Sequence, residues 1–545
     1  MANKPTLTAK LSELRRQEEE ARTKDSADKL GLPYISLFGV PIEADALKIL
    51  PEEEARKGNL IVVHKTGKTL EIAVSDPENI FTKKILENLG KQNFHYSLML
   101  ASKAGLKESF ERYKQISLAE EMHGGQIDIS SSLITNLREK IKDLGALKAE
   151  IKQIPGTKTS ELLETIISGA LSLDASDVHL EPKEDEIILK YRLDGMLHEI
   201  AFLSSKAYKL ILSRIKLLSG IKLNIKDIGQ DGRFSIRSEE TELEVRSSVI
   251  PGSYGESIVL RVLNPKMISL DLEGLGFRKE DLAILEKEIK RPNGLIITTG
   301  PTGSGKTTTL YAFIKKIMRP EVKIITLEDP IEYHLSGITQ TQVELDAGYD
   351  FSGGLRSILR QDPDIILVGE IRDTETAKTA LNASLTGHLV FSTLHTNDAA
   401  GAIPRFIDLG ADPGSLASSL NLLMAQRLVR KVCETCKKEY KPAKEELEKI
   451  TAVLKGVGHT PLEKANFVKA AGCEKCNGLG YKGRIGILEI IQIDDALEKL
   501  ISKSPSHADV LEVAKKKGMI TMYQDALLKV LAGITTMEEV GRIID

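Results

Sequence analysis

The stretch LIITTGPTGSGKTTTLYAFIKKIM (295–318) constrains the fold of this chain more than any other. An apolar run, LIITT, feeds Gly300-Pro301-Thr302-Gly303-Ser304-Gly305-Lys306-Thr307-Thr308. A helical pattern follows, with Leu310, Phe313, Ile314, Ile317 and Met318 on one face. This is GxxxxGK[ST] between a strand and a helix, the context the pattern needs in order to hold a nucleotide. Its glycines let backbone N–H groups curl around the β-phosphate. Lys306 reaches the β- and γ-phosphates, and the Thr307 hydroxyl ligates Mg²⁺. The helix N-terminus adds its positive dipole. Residues 300–308 are therefore read as an ATP site. From residue 270 onward strands and helices alternate, as in a parallel sheet covered by helices.

A phosphate loop needs acidic partners. VKIITLEDPIEY (322–333) is an apolar strand ending in Glu328-Asp329, and DPDIILVGEIRD (362–373) is a second one ending in Glu370. The carboxyl ends of parallel strands gather at one edge, where ligands bind. Glu328, Asp329 and Glu370 are thus expected to converge on Mg²⁺ and the attacking water, which a carboxylate can orient or deprotonate. Glu332 and Asp373 are equally well explained as surface charges or helix caps. HLVFSTLHTND (388–398) reads as a further strand of this sheet, placing His395 near the γ-phosphate and His388 at the opposite edge in a structural role.

At 545 residues the chain exceeds one core. Residues 1–112 read as an N-terminal interaction domain: a charged helix with Leu7, Leu11 and Leu14 at helical spacing, then an α/β segment with two strands at 60–76. Residues 113–158 are a linker whose Leu133, Leu137, Ile141, Leu144 and Ile151 mark an amphipathic helix stopped at Pro155-Gly156. Residues 159–270 are α+β, with a hairpin turning at Asp194-Gly195. Residues 271–545 form the nucleotide domain, closed by helices over 494–545. No apolar run reaches the roughly 20 residues needed to span a bilayer, and the N-terminus has no secretory apolar segment. A cytoplasmic protein is expected.

All four cysteines fall in two CxxC pairs, Cys433/Cys436 and Cys473/Cys476. Two such knuckles complete a tetrahedral Zn²⁺ site with no open position, hence a structural one, within a subdomain at 430–485. Nothing favours a redox dithiol or an iron–sulfur cluster. A net charge of −3, no tryptophan and 4% aromatics rank a nucleic-acid translocase low, because it would need a basic channel and stacking rings.

These residues resemble the secretion ATPases that drive type II secretion and type IV pilus assembly. GPTGSGKTTTLY is similar to their Walker A motif, ITLEDPIEY to the Asp box, ILRQDPDIILVGEIRD to Walker B and TGHLVFSTLHTNDA to the His box. ASDVHLEP (175–182), YRLDG and QDGR resemble the second N-terminal domain, and LGLPYISL with LPEEEARK the first. The retraction ATPases generally lack that first domain and the zinc insertion, so the assembly or secretion branch fits. The resemblance implies a RecA-like motor domain, preceded by a PAS-like α+β domain and a small α/β domain, in a hexameric ring that hydrolyses ATP. It implies Glu328 as general base, Glu370 supporting Mg²⁺ and water, His395 at the γ-phosphate, and Arg246 and Arg261 reaching across a subunit boundary, with Arg427 a weaker candidate. It implies pilus assembly as the work, with type II secretion as the alternative. The partners it implies are an inner-membrane platform protein and a cytoplasmic adaptor, so contact with the cytoplasmic membrane is indirect. One departure is KDIGQDGR, where Asp227 and Gly229 stand in the positions of the family's usual basic pair and proline. Arg233 is therefore given no role.

Overall fold

The computed structural model describes residues 7–38, 42, 44–47, 49–91, 94–110, 113, 126–128, 141, 143–155, 158–237, 242–263, 271–458 and 461–544. They fall into two compact units, Met1–Ile127 and Asp128–Asp545.

In the first unit, helix Leu7–Leu30 precedes a three-stranded sheet of β1 (Leu60–Thr66), β2 (Thr69–Val74) and β3 (His95–Leu100). β1 and β2 pair antiparallel around the turn that the sequence predicts, where Gly67 takes φ 62°. β3 returns parallel to β2 after helix Ile80–Lys91, the connection length a parallel neighbour requires. Leu60, Ile72, Leu86 and Leu106 share the core. A short strand, β4 (Gln126–Asp128), lies in the expected linker. The linker helix is Leu144–Gln153, capped where Asp143 accepts from the Ala146 N–H at 2.7 Å. Leu133 and Leu137 lie outside the described residues.

In the second unit, which includes that linker helix, helix Thr159–Ser172 comes next. The unit continues as an antiparallel sheet of β5 (Asp177–Pro182), β6 (Ile187–Leu193), β7 (Met196–Leu203), β8 (Gln230–Arg237), β9 (Glu242–Ile250) and β10 (Ser257–Leu263), in spatial order β8-β9-β10-β5-β6-β7. The β6–β7 turn has Asp194 at φ 47° and Gly195 at φ 86°, the two positive angles of a type I′ hairpin.

The larger sheet runs β13-β12-β14-β15-β11-β16-β19. Its strands are β11 (Gly294–Thr299), β12 (Ile324–Glu328), β13 (Thr339–Gln342), β14 (Ile365–Val368), β15 (Leu389–Leu394), β16 (Leu420–Val432) and β19 (Tyr481–Gln492). All neighbours are parallel except β16 and β19. Both faces of β11, β12, β14 and β15 are buried, so these strands read as largely apolar runs, whereas the edge strand β13 is polar. Ile296 and Phe391 pack on one face with Leu310, Phe313 and Ile314 of helix Lys306–Ile317. Leu295, Ile297, Ile366 and Val390 pack on the other. The expected apolar face of that helix ends one residue early: Met318 is extended and exposed beyond its C-terminus. Between β16 and β19 sit β17 (Lys438–Glu439), helix Lys444–Val453 and β18 (Val468–Lys469), and four helices from Asp495 to Ile544 close the unit.

Candidate functional site

Four strand ends meet at one edge. β11, β12, β14 and β15 are parallel and adjacent in the sheet, with Thr299 opposite Leu394 and Leu327 opposite Val368. The loop at 300–305, Glu328, Glu370 and His395 therefore emerge together. Gly300 has φ 146°, and a Cβ there would lie 2.4 Å from the Gln426 carbonyl, so only glycine fits. Gln426 lies under the loop on β16, its Oε1 accepting from Thr309 Oγ1 at 2.8 Å. Lys306 Nζ donates to the carbonyls of Gly300 at 2.7 Å and Pro301 at 3.1 Å, closing the loop. Burial pushes the Lys306 ammonium pKa down, against the pull of the nearby Glu370 carboxylate. The buried Ser304 hydroxyl has no partner among the described residues, and Thr307 is half-buried in the first turn. An orphaned hydroxyl, curled backbone and an ammonium at a helix start suit a bound phosphate chain.

Glu328 is 3% exposed. Its Oε1 accepts from Thr326 Oγ1 at 2.6 Å and Gln340 Nε2 at 3.2 Å, and its Oε2 from the Tyr311 hydroxyl at 2.5 Å. Asp329, one residue on, is exposed. Glu370 has Arg372 Nη2 at 2.5 Å on one oxygen and His395 Nε2 at 3.3 Å on the other. The polar residues of β15 are bonded across to the strand beside it: Ser392 Oγ donates to the Val368 carbonyl and Thr393 Oγ1 to that of Gly369, at 2.8 and 2.7 Å. Thr396 N–H donates to Thr299 Oγ1 at 2.8 Å, tying the loop after β15 to the end of β11. His388 immediately precedes β15 at the opposite edge, with Nδ1 2.9 Å from the Ala383 carbonyl. Asp373 caps helix Thr374–Leu385 through the Thr376 N–H.

Arg246 and Arg261 lie on neighbouring strands, paired in register, and Arg246 also pairs with Arg233 on β8. Directly opposed residues of antiparallel strands share a face, so three guanidinium groups form a row across β8, β9 and β10. Within this one chain Arg246 Nη1 is 3.1 Å from Glu332 Oε2 and its Nη2 donates to the Ile331 carbonyl. Glu332, read from sequence as a surface charge or cap, thus joins the small sheet to the loop after β12. Arg261 Nε bonds Asp177 at 3.1 Å. Arg427 Nη2 donates to the Asn397 carbonyl, at 3.4 Å. Sequence reasoning passed over Tyr311, Gln340, Arg372 and Gln426, and it gave Arg233 no role. Strand register exposes the last, and the others needed side-chain positions.

The cysteines also meet. All four Sγ atoms lie within 4.8 Å of one another, with Cys433–Cys473 at 3.9 Å and Cys436–Cys476 and Cys473–Cys476 at 3.7 Å. A tetrahedral zinc with Zn–S about 2.3 Å separates its sulfurs by about 3.8 Å, whereas a disulfide needs about 2.05 Å. The N–H groups of Cys473 and Gly480 point at Cys476 Sγ from 3.1 and 3.2 Å, as suits a thiolate ligand. The set fits a structural metal that would pin the far end of the β16–β19 pair, where Val432 meets Tyr481.

Residues 156–542 match the family described as type II/IV secretion system protein, and residues 30–120 match the MshEN domain. The chain is similar to the type IV pilus assembly ATPase PilB of Myxococcus xanthus, with 37% identity over 96% of this chain and 91% of that protein. It is similar to type II secretion system protein E of Pseudomonas aeruginosa, with 38% identity over 86% and 89% of the two chains. The X-ray structure of the Legionella pneumophila ATPase DotB aligns with a TM-score of 0.52 at 21% identity, over 70% of this chain and 94% of that one, a likeness of fold. Among the described residues, no helix is long and apolar enough to cross a membrane.

Proposed function

Because this chain belongs to the type II/IV secretion system protein family and is an ATPase, we propose that it works as a hexameric motor that powers type IV pilus assembly. The observation that carries this reading is the meeting of Lys306, Glu328, Glu370 and His395 at one sheet edge, with an arginine of the preceding domain held beside it. ATP lies along residues 300–308, with its phosphates on the loop N–H groups, Lys306 and the helix N-terminus. Thr307 and Glu370 are the residues that would hold Mg²⁺, which would supply neutralisation of phosphate charge. Glu328 orients or deprotonates the attacking water, and His395 acts next to Glu370 at the γ-phosphate end. Arg246 and Arg261 neutralise charge as the β–γ bond breaks, since a planar guanidinium binds phosphoryl oxygens bidentately. Each closure of the arginine-bearing sheet on the nucleotide is a stroke, passed around the ring to a platform protein in the cytoplasmic membrane. Residues 1–112 dock a cytoplasmic adaptor there, and Cys433, Cys436, Cys473 and Cys476 would hold a structural zinc in the 430–485 subdomain.

A second reading, a type II secretion ATPase that energises protein export, rests on the similarly high identity to the Pseudomonas aeruginosa protein. Purified E328Q should bind ATP and not turn it over, and a strain carrying it in place of the native gene should lack surface pili. Retained turnover removes Glu328 as base. Lost export with intact pili favours the second reading.

A further inference from the structure

The buried Glu328 carboxylate is held by side-chain donors from three separate places in the chain. Three neutral groups, from Thr326, Gln340 and Tyr311, aim at one carboxylate, and among the described residues no lysine or arginine pairs with it. Tyr311 is 2% exposed, and burial, then the Glu328 charge, pushes its phenol far above the ordinary range, so it keeps its proton and donates. Gln340 is itself fixed: its Oε1 accepts from the Leu335 N–H at 2.6 Å, and its Nε2 also donates to the Tyr333 carbonyl at 3.0 Å. Strand register explains the arrangement. Thr326 of β12 pairs with Gln340 of β13, and Thr326 and Glu328 are two apart on one strand, hence on one face.

Tyr311 arrives from elsewhere. It sits on helix Lys306–Ile317, whose first turn carries Lys306 and Thr307. Thr307 and Tyr311 are four residues apart and share a helix face. One rigid rod therefore carries the phosphate-binding ammonium and the Mg²⁺-ligating hydroxyl at its tip, and the donor to Glu328 a turn later. A shift of the tip as nucleotide fills the loop must move the Tyr311 hydroxyl too.

We propose that Tyr311 is a positioning residue that sets the orientation of the Glu328 carboxylate and links it to the occupancy of the phosphate loop. This rests on the reading of Glu328 as base. Carboxylate rotamers differ by about an ångström in where the oxygens sit, and misplacement on that scale costs up to about 10²-fold in rate.

The test is a double-mutant cycle on ATP turnover by the full-length protein. Y311F removes one oxygen and keeps the ring. It should lower kcat about tenfold, the size of one hydrogen bond to a charged group, while KM and the affinity for a fluorescent ATP analogue stay within about twofold. E328D shortens the carboxylate and breaks the same bond, so adding Y311F to E328D should cost almost nothing more. T326V removes a second donor without touching the helix and should also lower kcat at constant KM, which keeps the test open if Y311F folds poorly. Full kcat in both Y311F and T326V, or a Y311F loss that simply adds to that of E328D, overturns the proposal while E328Q remains inactive. Turnover by E328Q overturns the underlying assignment instead.

Discussion

His395 Nε2 lies 3.3 Å from Glu370 Oε2. The contact follows from register: Val368 of β14 is level with Ser392 of β15, so the residues just past the two ends must meet. The imidazole is half exposed and the carboxylate nearly buried. Replacing His395 by alanine should lower kcat about 10–100-fold, as expected on losing a hydrogen bond to a charge at the reacting centre, with ATP binding largely kept. H395Q, which can still donate, should lose less. Single-turnover hydrolysis checks both.

The arginine row makes two opposed demands. Like charges directly opposite on neighbouring strands repel, and Arg246 faces Arg233 on one side and Arg261 on the other. R233A should raise the apo protein's stability by a few tenths of a kcal/mol, read from urea denaturation. R246A should cost on the order of 10³-fold in kcat, the scale of a lost arginine finger. The two variants should thus move stability and turnover independently.

Removing the knuckle should act on stability, with its effect on chemistry indirect. Metal analysis of the purified protein should give one zinc per chain, and C433S or C476S should give none. Loss of the metal should lower the melting temperature and release residues 433–481 to proteases, because the β16–β19 pair loses its far clasp. ATP binding at Lys306 should persist, because its loop leaves β11 level with Ala425, several residues short of the Val432 end of β16.

Glu489 contributes one pH dependence that can be isolated by substitution. It is 3% exposed on β19, and burial, reinforced by Asp398, raises its pKa above 4.5 despite donation from the Ala399 and Met522 N–H groups and the nearby Lys515. The folded protein then holds a proton that the unfolded chain has released, so stability falls as pH rises through the window above 4.5. E489Q, whose amide oxygen can keep the 3.0 Å bond from Ala399, should be more stable than the parent at pH 7. That advantage should shrink as pH drops through the window. Denaturation midpoints at several pH values measure it.

The parts of the site legible in sequence are those whose chemistry is local. A Cβ at Gly300 would strike a carbonyl, and the acids stand directly after apolar runs, so motif and geometry coincide. Tyr311 was illegible because a tyrosine beside Leu310 on a helix reads as core, and its partner Gln340 is 29 residues away on an edge strand. Arg233 follows an atypical KDIG segment, yet backbone pairing puts it level with Arg246. Met318 fits the helical period but not the helix, which ends at Ile317.

The Asp194 turn of the small sheet accepts from the Gly483 N–H at 2.8 Å, and Arg246 holds Glu332. Both of these touches between the arginine-bearing sheet and the nucleotide domain are polar. Water can replace each partner when they part, at roughly 0.5–1.5 kcal/mol per bond, whereas tearing open an oily seam of equal size would cost far more. A joint built this way opens cheaply and repeatedly, as cyclic work demands, and a substitution that greased either contact would jam it shut.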